Sequence, residues 1–215
     1  MAGAPLVPDA VRTAVLLGMR LRGVAGVDDL AAAAGLDPAG LAPVLEDVEG
    51  RGWAVRRAGR VAGHQLTPAG RAELERRLAR ELDAHRAREA VTDAYRRFLA
   101  LNGPFLDACA RWQVRSGPDG TPVVNDHLDP TYDAALVDEL GALHDRVVPV
   151  LGTLAAALDR YRRYEPALAG ALTRVRAGEV DHFTKPIVPS YHTVWFELHE
   201  DLLATLGIER ASEAH

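Results

Sequence analysis

Residues 27–71 read VDDLAAAAGLDPAGLAPVLEDVEGRGWAVRRAGRVAGHQLTPAGR, and this stretch decides the fold of the N-terminal part of the chain. Its turn residues separate two short helices from a β-hairpin. Gly35 can take the left-handed conformation with which a helix ends, and Asp37 with Pro38 is a typical N-cap and first turn. Two short strands around a tip that contains Gly59 then predict a hairpin.

The segments on either side extend this pattern. Apolar residues recur at helical spacing from Pro8 to Arg22, which predicts a helix before the stretch. Thr67 and Pro68 have the residue types of an N-cap and a first helical turn, so we expect another helix after the hairpin. These elements together predict a winged helix-turn-helix with a two-stranded β wing, ending near residue 72.

The helix that would enter the major groove of DNA carries no basic residue. The side chains expected to face outward on it are Ala39, Gly40, Ala42, Pro43, Glu46 and Asp47. None of them is a usual reader of a base edge. Positive charge lies instead on the wing and just before it, at Arg51, Arg56, Arg57 and Arg60. We therefore expect these four arginines to bind phosphate groups.

The first 75 or so residues resemble the MarR-like and related winged-helix transcription regulators. The matching pieces are DLAAAAGLDPAGLAPVLEDVEGRGW (29–53), the wing arginines and LTPAGR (66–71). The resemblance implies a homodimer that binds double-stranded DNA, with its third helix in the major groove and its wing beside the backbone. It also implies a ligand that alters the spacing of the two DNA-binding heads. The neutral and acidic third helix departs from this pattern.

An alternative interpretation is a winged-helix module that does not bind DNA. The same pattern also resembles the N-terminal dimerisation domains of small-molecule methyltransferases, which implies a module that dimerises or docks on a partner enzyme. No glycine-rich cofactor loop follows it, and the sequence has no Walker, Rossmann, G-x-S-x-G or H-E-x-x-H motif. We therefore expect no enzymatic activity and no cofactor.

Composition limits the remaining function classes. The 215 residues carry a net charge of −5, so any nucleic acid must be bound by a local basic patch. The single Cys109 excludes an internal disulfide and is typical of a cytoplasmic protein. Arg12 and Arg20 interrupt the apolar N-terminal stretch, which predicts a helix rather than a signal peptide. No apolar run is long enough to predict a membrane span.

The rest of the chain is predicted to be helical. The helix after the wing is expected to run as far as Ala100, and another to begin after Asn102-Gly103-Pro104. Residues 116–122 are turn formers and predict a loop. Further helices are expected near 166–177 and 190–206.

A helical bundle is predicted in the C-terminal half. From Leu136 to Tyr161 apolar residues alternate spacings of four and three, the period of helices packed side by side. Pro149 should kink or split this helix. The chain is thus divided into a winged domain (1–72), connecting helices (73–115) and a C-terminal bundle for dimerisation or ligand sensing (116–215).

The tail GEVDHFTKPIVPSYHTVWFELHEDLLATLG (178–207) allows two interpretations of its histidines. His192 and His199 are seven residues and about 10 Å apart along a helix, so they cannot share a metal ion, and no metal site is expected. They are either core histidines or part of a pocket for an apolar, aromatic or anionic small molecule. The candidate pocket residues are Trp112, Tyr191, His192, Trp195 and His199.

Overall fold

The computed structural model describes residues 7–117 and 119–209. The described chain is mainly α-helical, with one three-stranded and one two-stranded antiparallel sheet. It divides into two compact units, Met1–Ala84 with Glu200–His215, and His85–His199. The functional division at residues 72 and 115 stays a prediction.

The first unit contains four helices of its own and a small sheet. Its elements are, in order, α1 (Asp9–Arg22), β1 (Val24–Ala25), α2 (Val27–Ala34), α3 (Pro38–Gly50), β2 (Ala54–Arg57), β3 (Gly63–Leu66) and α4 (Pro68–Ala84). The sheet has the order β1-β3-β2, in which Arg56 pairs with His64 and Val24 pairs with Gln65. The predicted hairpin and helices are present. Strand β1 was not predicted, because two residues carry no periodic signal.

The predicted caps of these helices are confirmed. Gly35 ends α2 with φ 65°, and Asp37 Oδ1 accepts a hydrogen bond of 2.6 Å from the Gly40 N–H. Thr67 Oγ1 accepts one of 3.0 Å from the Gly70 N–H. At Gly70 the chain passes so close to the Trp53 carbonyl that a Cβ would lie 1.9 Å from its oxygen. This approach fixes where α4 begins relative to the start of the hairpin.

The core of the first unit lies between its helices and one face of the sheet. Leu16, Leu30, Leu41 and Val48 are fully buried there. They are the apolar positions that helical spacing predicts for α1, α2 and α3. Ala204 from the last helix packs into the same core.

The second unit is a helical bundle with a short hairpin. Its elements are α5 (Arg88–Gln113), β4 (Val114–Ser116), β5 (Pro122–Val124), α6 (Pro130–Ala157), a 3₁₀ helix (Asp159–Arg163), α7 (Tyr164–Arg176), α8 (Asp181–Thr184) and α9 (Tyr191–Leu206), of which α9 continues into the first unit after His199. Leu140, Val147 and Leu154 lie on the buried side of α6, as their spacing predicts.

Two predicted helix boundaries are wrong. Helix α4 ends at Ala84 rather than continuing to Ala100, because the chain turns at Arg86, which has φ 52°. Helix α5 then runs without a break through Asn102-Gly103-Pro104. Leu101 and Phe105 are buried on either side of that sequence, and their burial outweighs the local preference of Gly and Pro for a turn.

Two further expectations need correction. Helix α6 is not split at Pro149 and continues to Ala157. Ser116 and Pro122, at the two ends of the predicted loop, belong instead to strands β4 and β5, in which Val114 pairs with Val124 and Ser116 with Pro122. All three residues of β5 are exposed, so this strand has no alternation of buried and exposed positions that would have predicted it.

Candidate functional site

The β2–β3 hairpin presents a group of three exposed arginines. Arg56 and Arg57 lie on β2, and Arg60 lies in the turn that follows. Arg57 Nε donates a hydrogen bond of 2.7 Å to the neutral amide oxygen of Gln65. Within residues 7–117 and 119–209, no carboxylate forms an ion pair with any of these three arginines. The hairpin is therefore a local patch of uncompensated positive charge, which we call the wing arginines.

Arg51 is placed differently from the wing arginines. It is exposed directly after α3, but its Nε lies 2.9 Å from Asp47 Oδ1. Its guanidinium carbon also lies 5.0 Å from the ring centroid of Trp53. Because a carboxylate and an aromatic face already hold it, Arg51 has less free charge to offer an anion than the wing arginines have.

The exposed face of α3 carries the residue types expected from the sequence. Ala39, Gly40, Ala42 and Glu46 are exposed, whereas Pro43 is half-buried. No lysine, arginine or histidine lies on this helix. Of its outward positions, Glu46 is the one that would place a negative charge toward a bound polyanion.

Asp47 does not share the exposed face with Glu46. Its Oδ2 lies 2.5 Å from Nε of Arg12 on α1, and the hydrogen bond from Arg12 holds the pKa of Asp47 below its ordinary value. The hydrogen bond from Arg51 acts in the same direction. The carboxylate is thus neutralised between two arginines, and it ties α3 to α1.

The base of the hairpin is attached to α3 by a buried polar contact. His64 on β3 is 7% exposed, and its Nδ1 lies 2.8 Å from Glu49 Oε1 on α3. Since β3 pairs with β2, this contact sets the position of Arg56 and Arg57 relative to α3. The sequence suggested both elements but not the link between them.

Three of the five candidate pocket residues pack in one aromatic cluster of the second unit. Trp195 is 2% exposed, and its ring centroid lies 4.4 Å from that of Phe105 and 4.7 Å from that of Phe98. Its Nε1 donates a hydrogen bond of 3.0 Å to Asn102 Oδ1. Tyr191 is fully buried beside it, and the ring of His199 lies 5.3 Å from that of Phe98.

His192 lies at the edge of this cluster. Its ring is stacked 6.2 Å from Phe105, and burial lowers its pKa. Tyr191 contacts a second histidine, His144, whose Nδ1 is 3.2 Å from the tyrosine oxygen and whose pKa is also lowered by burial. These contacts are those of a packed interior. Ligand binding by Tyr191, His192, Trp195 and His199 stays a prediction.

Trp112 is placed in a different cluster from the other four candidates. Its ring stacks on Phe183 at 4.5 Å and 17°, and it lies 4.5 Å from the His127 ring at a tilt of 42°. It lines a surface cavity of about 250 Å³ together with Asn125, His127 and Lys185. Tyr191, His192, Trp195 and His199 do not line that cavity or the larger one of about 450 Å³ beside Tyr161.

The residues NDHLDPTYD (125–133) form a polar network that was not singled out in the sequence. Asn125 Nδ2 donates to Asp133 Oδ1 at 2.9 Å and to the Trp112 carbonyl at 3.2 Å. His127 Nδ1 lies 2.9 Å from Asp133 Oδ2. Asp129 caps α6 within the same run. The signal that was available is the density of Asn, Asp and His immediately before a helix start.

The described residues provide no candidates for a reactive thiol, a metal site or a membrane span. Burial raises the pKa of the Cys109 thiol to about 12, so it stays protonated and unreactive. Within the two ranges that the structure describes, no three His, Cys, Asp or Glu side chains are arranged to hold a metal ion. None of the helices in those ranges has the length and apolarity needed to cross a bilayer.

Comparisons with protein-family models, with curated proteins and with solved structures find no match to this chain.

Proposed function

We propose that this protein is a winged-helix transcription regulator that binds duplex DNA mainly through the phosphate backbone. The proposal includes a homodimer that acts in the cytoplasm and responds to a small molecule. The observation that carries it is the wing: Arg56, Arg57 and Arg60 are exposed on one hairpin without carboxylate partners in the described chain. Arginines presented in this way suit phosphate contacts and entry into a minor groove.

The architecture of the first unit supports the winged-helix part of the proposal. Helices α2 and α3 are joined by three residues, of which Gly35 is the first, and the β2–β3 hairpin is the next element after α3. In winged-helix regulators such a pair of helices and such a hairpin contact the groove and the flanking backbone. Here the hairpin is also linked to α3 through His64 and Glu49, so both elements would meet DNA as one rigid surface.

The N-terminus of α3 adds little to phosphate binding. Helix N-termini bind phosphate through free backbone N–H groups. Pro38 has no N–H, and the N–H of Gly40 already donates to Asp37. The wing therefore supplies most of the expected affinity, and binding depends weakly on the base sequence.

The test is retention of the full-length protein on random-sequence duplex DNA at low salt. The triple substitution Arg56→Ala, Arg57→Ala and Arg60→Ala should abolish retention, although a weak residual affinity stays measurable in solution. A matched triple, Arg80→Ala, Arg96→Ala and Arg146→Ala, removes the same charge from exposed helical positions outside the hairpin and should retain binding. Equal binding by the two triple variants would exclude the wing as the contact surface.

A second candidate is a winged-helix module that binds protein instead of DNA. Small neutral residues on the exposed face of α3, Ala39, Gly40 and Ala42, favour it because they allow close approach of another helix. Such a module would dimerise or dock on a partner enzyme. It predicts no salt-dependent DNA affinity, and a dimer in light scattering that Ala42→Arg dissociates.

A further inference from the structure

The cavity beside Trp112 has an oriented imidazole in its wall. It measures about 250 Å³ and is lined by the end of α5, the segment after β5, and the residues around α8. His127 Nδ1 lies 2.9 Å from Asp133 Oδ2. Because the Asp133 carboxylate only accepts, the Nδ1 that faces it carries a proton, and Asn125 Nδ2, 3.2 Å from that atom, donates instead to Asp133 and to the Trp112 carbonyl. In the uncharged tautomer of this arrangement Nε2 keeps its lone pair. In the part of the chain that the structure describes, no hydrogen bond occupies that Nε2.

The surroundings of His127 keep the ring in place. Asp133 is itself held by Asn125 Nδ2 at 2.9 Å, and the tilted ring of Trp112 packs against the imidazole with centroids 4.5 Å apart. The backbone of His127 has φ 57°, and its N–H donates to Asn125 Oδ1 at 3.3 Å. The contacts with Asp133, Trp112 and Asn125 thus hold the His127 ring, and with it Nε2, in one position. A binding site for a hydrogen-bond donor requires an acceptor held in this way.

Lys185 supplies a donor and a positive charge to the same cavity. It is the only lysine of the chain. Its Nζ lies 2.6 Å from Asp181 Oδ2, which occupies one of the three ammonium N–H groups, and its side chain remains 42% exposed. Val124 and Val180 line the cavity and are both exposed, so they provide an apolar wall.

We infer that this cavity binds a small hydroxycarboxylic acid. The ligand hydroxyl donates to His127 Nε2, the carboxylate accepts from Lys185 Nζ, and a short alkyl group packs on Val124 and Val180. A water molecule occupies about 30 Å³ in the liquid, so the cavity holds roughly eight groups of that size. A small acid with a short alkyl group fits a cavity of this volume.

The experiment uses the full-length protein with 2-hydroxy-3-methylbutanoate and with 3-methylbutanoate, which lacks only the hydroxyl. Isothermal titration gives the affinity, and the ring signals of labelled histidines identify the residue that the ligand contacts. The hydroxy acid should bind and shift the His127 signals. The acid without the hydroxyl should bind about tenfold more weakly, since it leaves a hydrogen bond unmade.

Two variants test the two contacts separately. His127→Asn removes Nε2 but keeps a residue type that tolerates a left-handed backbone. Lys185→Met removes the charge at an exposed position. Each should weaken binding about tenfold or more, whereas His85→Asn, at an exposed histidine outside the cavity, should not. No binding of the hydroxy acid, equal binding of the two acids, or unchanged affinity of the Lys185→Met protein would overturn the inference. None of these outcomes depends on DNA binding.

Discussion

The exposed face of α3 and the β2–β3 hairpin are adjacent in sequence but differ completely in charge. The helix offers Ala39, Gly40, Ala42 and Glu46, whereas the hairpin offers the three wing arginines. Base-specific recognition depends on side chains of a groove-reading helix, and affinity depends on cations near phosphate. Under the proposed function, the hairpin would therefore supply affinity for DNA, and α3 would add little base-specific recognition.

The largest effect on stability is expected from Gly70→Ala, because it places a side chain where α4 contacts the Trp53 backbone. The new Cβ would lie 1.9 Å from the Trp53 carbonyl oxygen, so the backbone must shift. We expect a loss of about 3 kcal/mol or more in the free energy of unfolding, measured by urea denaturation. Gly50→Ala at the end of α3, where a Cβ meets nothing within 4 Å, is the control. A stable Gly70→Ala protein would disprove this close approach.

Asp47→Asn tests whether the ion pair between Asp47 on α3 and Arg12 on α1 stabilises the fold. The partners Arg12 and Asp47 are largely buried, so we expect a loss of about 2 kcal/mol at neutral pH, between the values for surface and buried pairs. The folded-state pKa of Asp47 lies below its ordinary 3.8, mainly because of the hydrogen bond from Arg12. The contribution is therefore present above that ordinary pKa and is lost as pH falls below it.

Urea denaturation at pH 7 and below pH 3.8 checks this prediction. The difference in the free energy of unfolding between the wild-type and Asp47→Asn proteins should disappear at the lower pH. Glu46→Gln, which changes the neighbouring exposed carboxylate, should leave stability unchanged. A gap that stays constant with pH would show that the ion pair is not its cause.

Ala42→Arg gives the exposed face of α3 a positive charge, as the hairpin already has. If α3 lies against DNA, an arginine at this exposed position adds a contact and should raise DNA affinity about tenfold. Fluorescence anisotropy with a labelled duplex measures the change. Loss of a dimer without any DNA binding would instead favour the protein-interaction candidate.

The smallest effect is expected from His64→Leu, which removes the hydrogen bond between His64 of the hairpin and Glu49 of α3. Removing the contact to Glu49 should cost about 1 kcal/mol of stability, as for a single hydrogen bond. DNA affinity should fall less than in the wing variant, because the arginines remain. A DNA-binding defect as large as that of the triple wing variant would mean that hairpin position matters as much as its charge.

The parts of the fold that the sequence predicts correctly are those with strong local signals. Asp37, Thr67 and Gly35 mark helix ends whose chemistry is contained in a few adjacent residues. The break at Arg86 and the continuous helix through Pro104 depend on packing that local preferences do not encode. The predictions for residues 7–84 are accordingly better than those for the helices that follow.

For the candidate sites too, the sequence predicted what depends on local signals and missed what depends on contacts between distant segments. Exposure of the wing arginines follows from their place on a short hairpin, but the contact of Arg51 with Asp47 needs three-dimensional information. The helical spacing of Tyr191 and Trp195, four residues apart on α9, places both in one buried cluster. It could not separate them from Trp112, whose neighbours His127 and Phe183 come from segments distant in sequence.

The most direct test of the central claim is the salt dependence of DNA affinity for the wild-type protein and the triple wing variant. Each phosphate contact contributes about −0.9 to the slope of log K against log salt concentration. Loss of three contacts should therefore reduce the slope by about 3 per protomer, or about 5 for a dimer. Equal slopes, or no affinity of the wild-type protein for duplex DNA at low salt, would contradict the account.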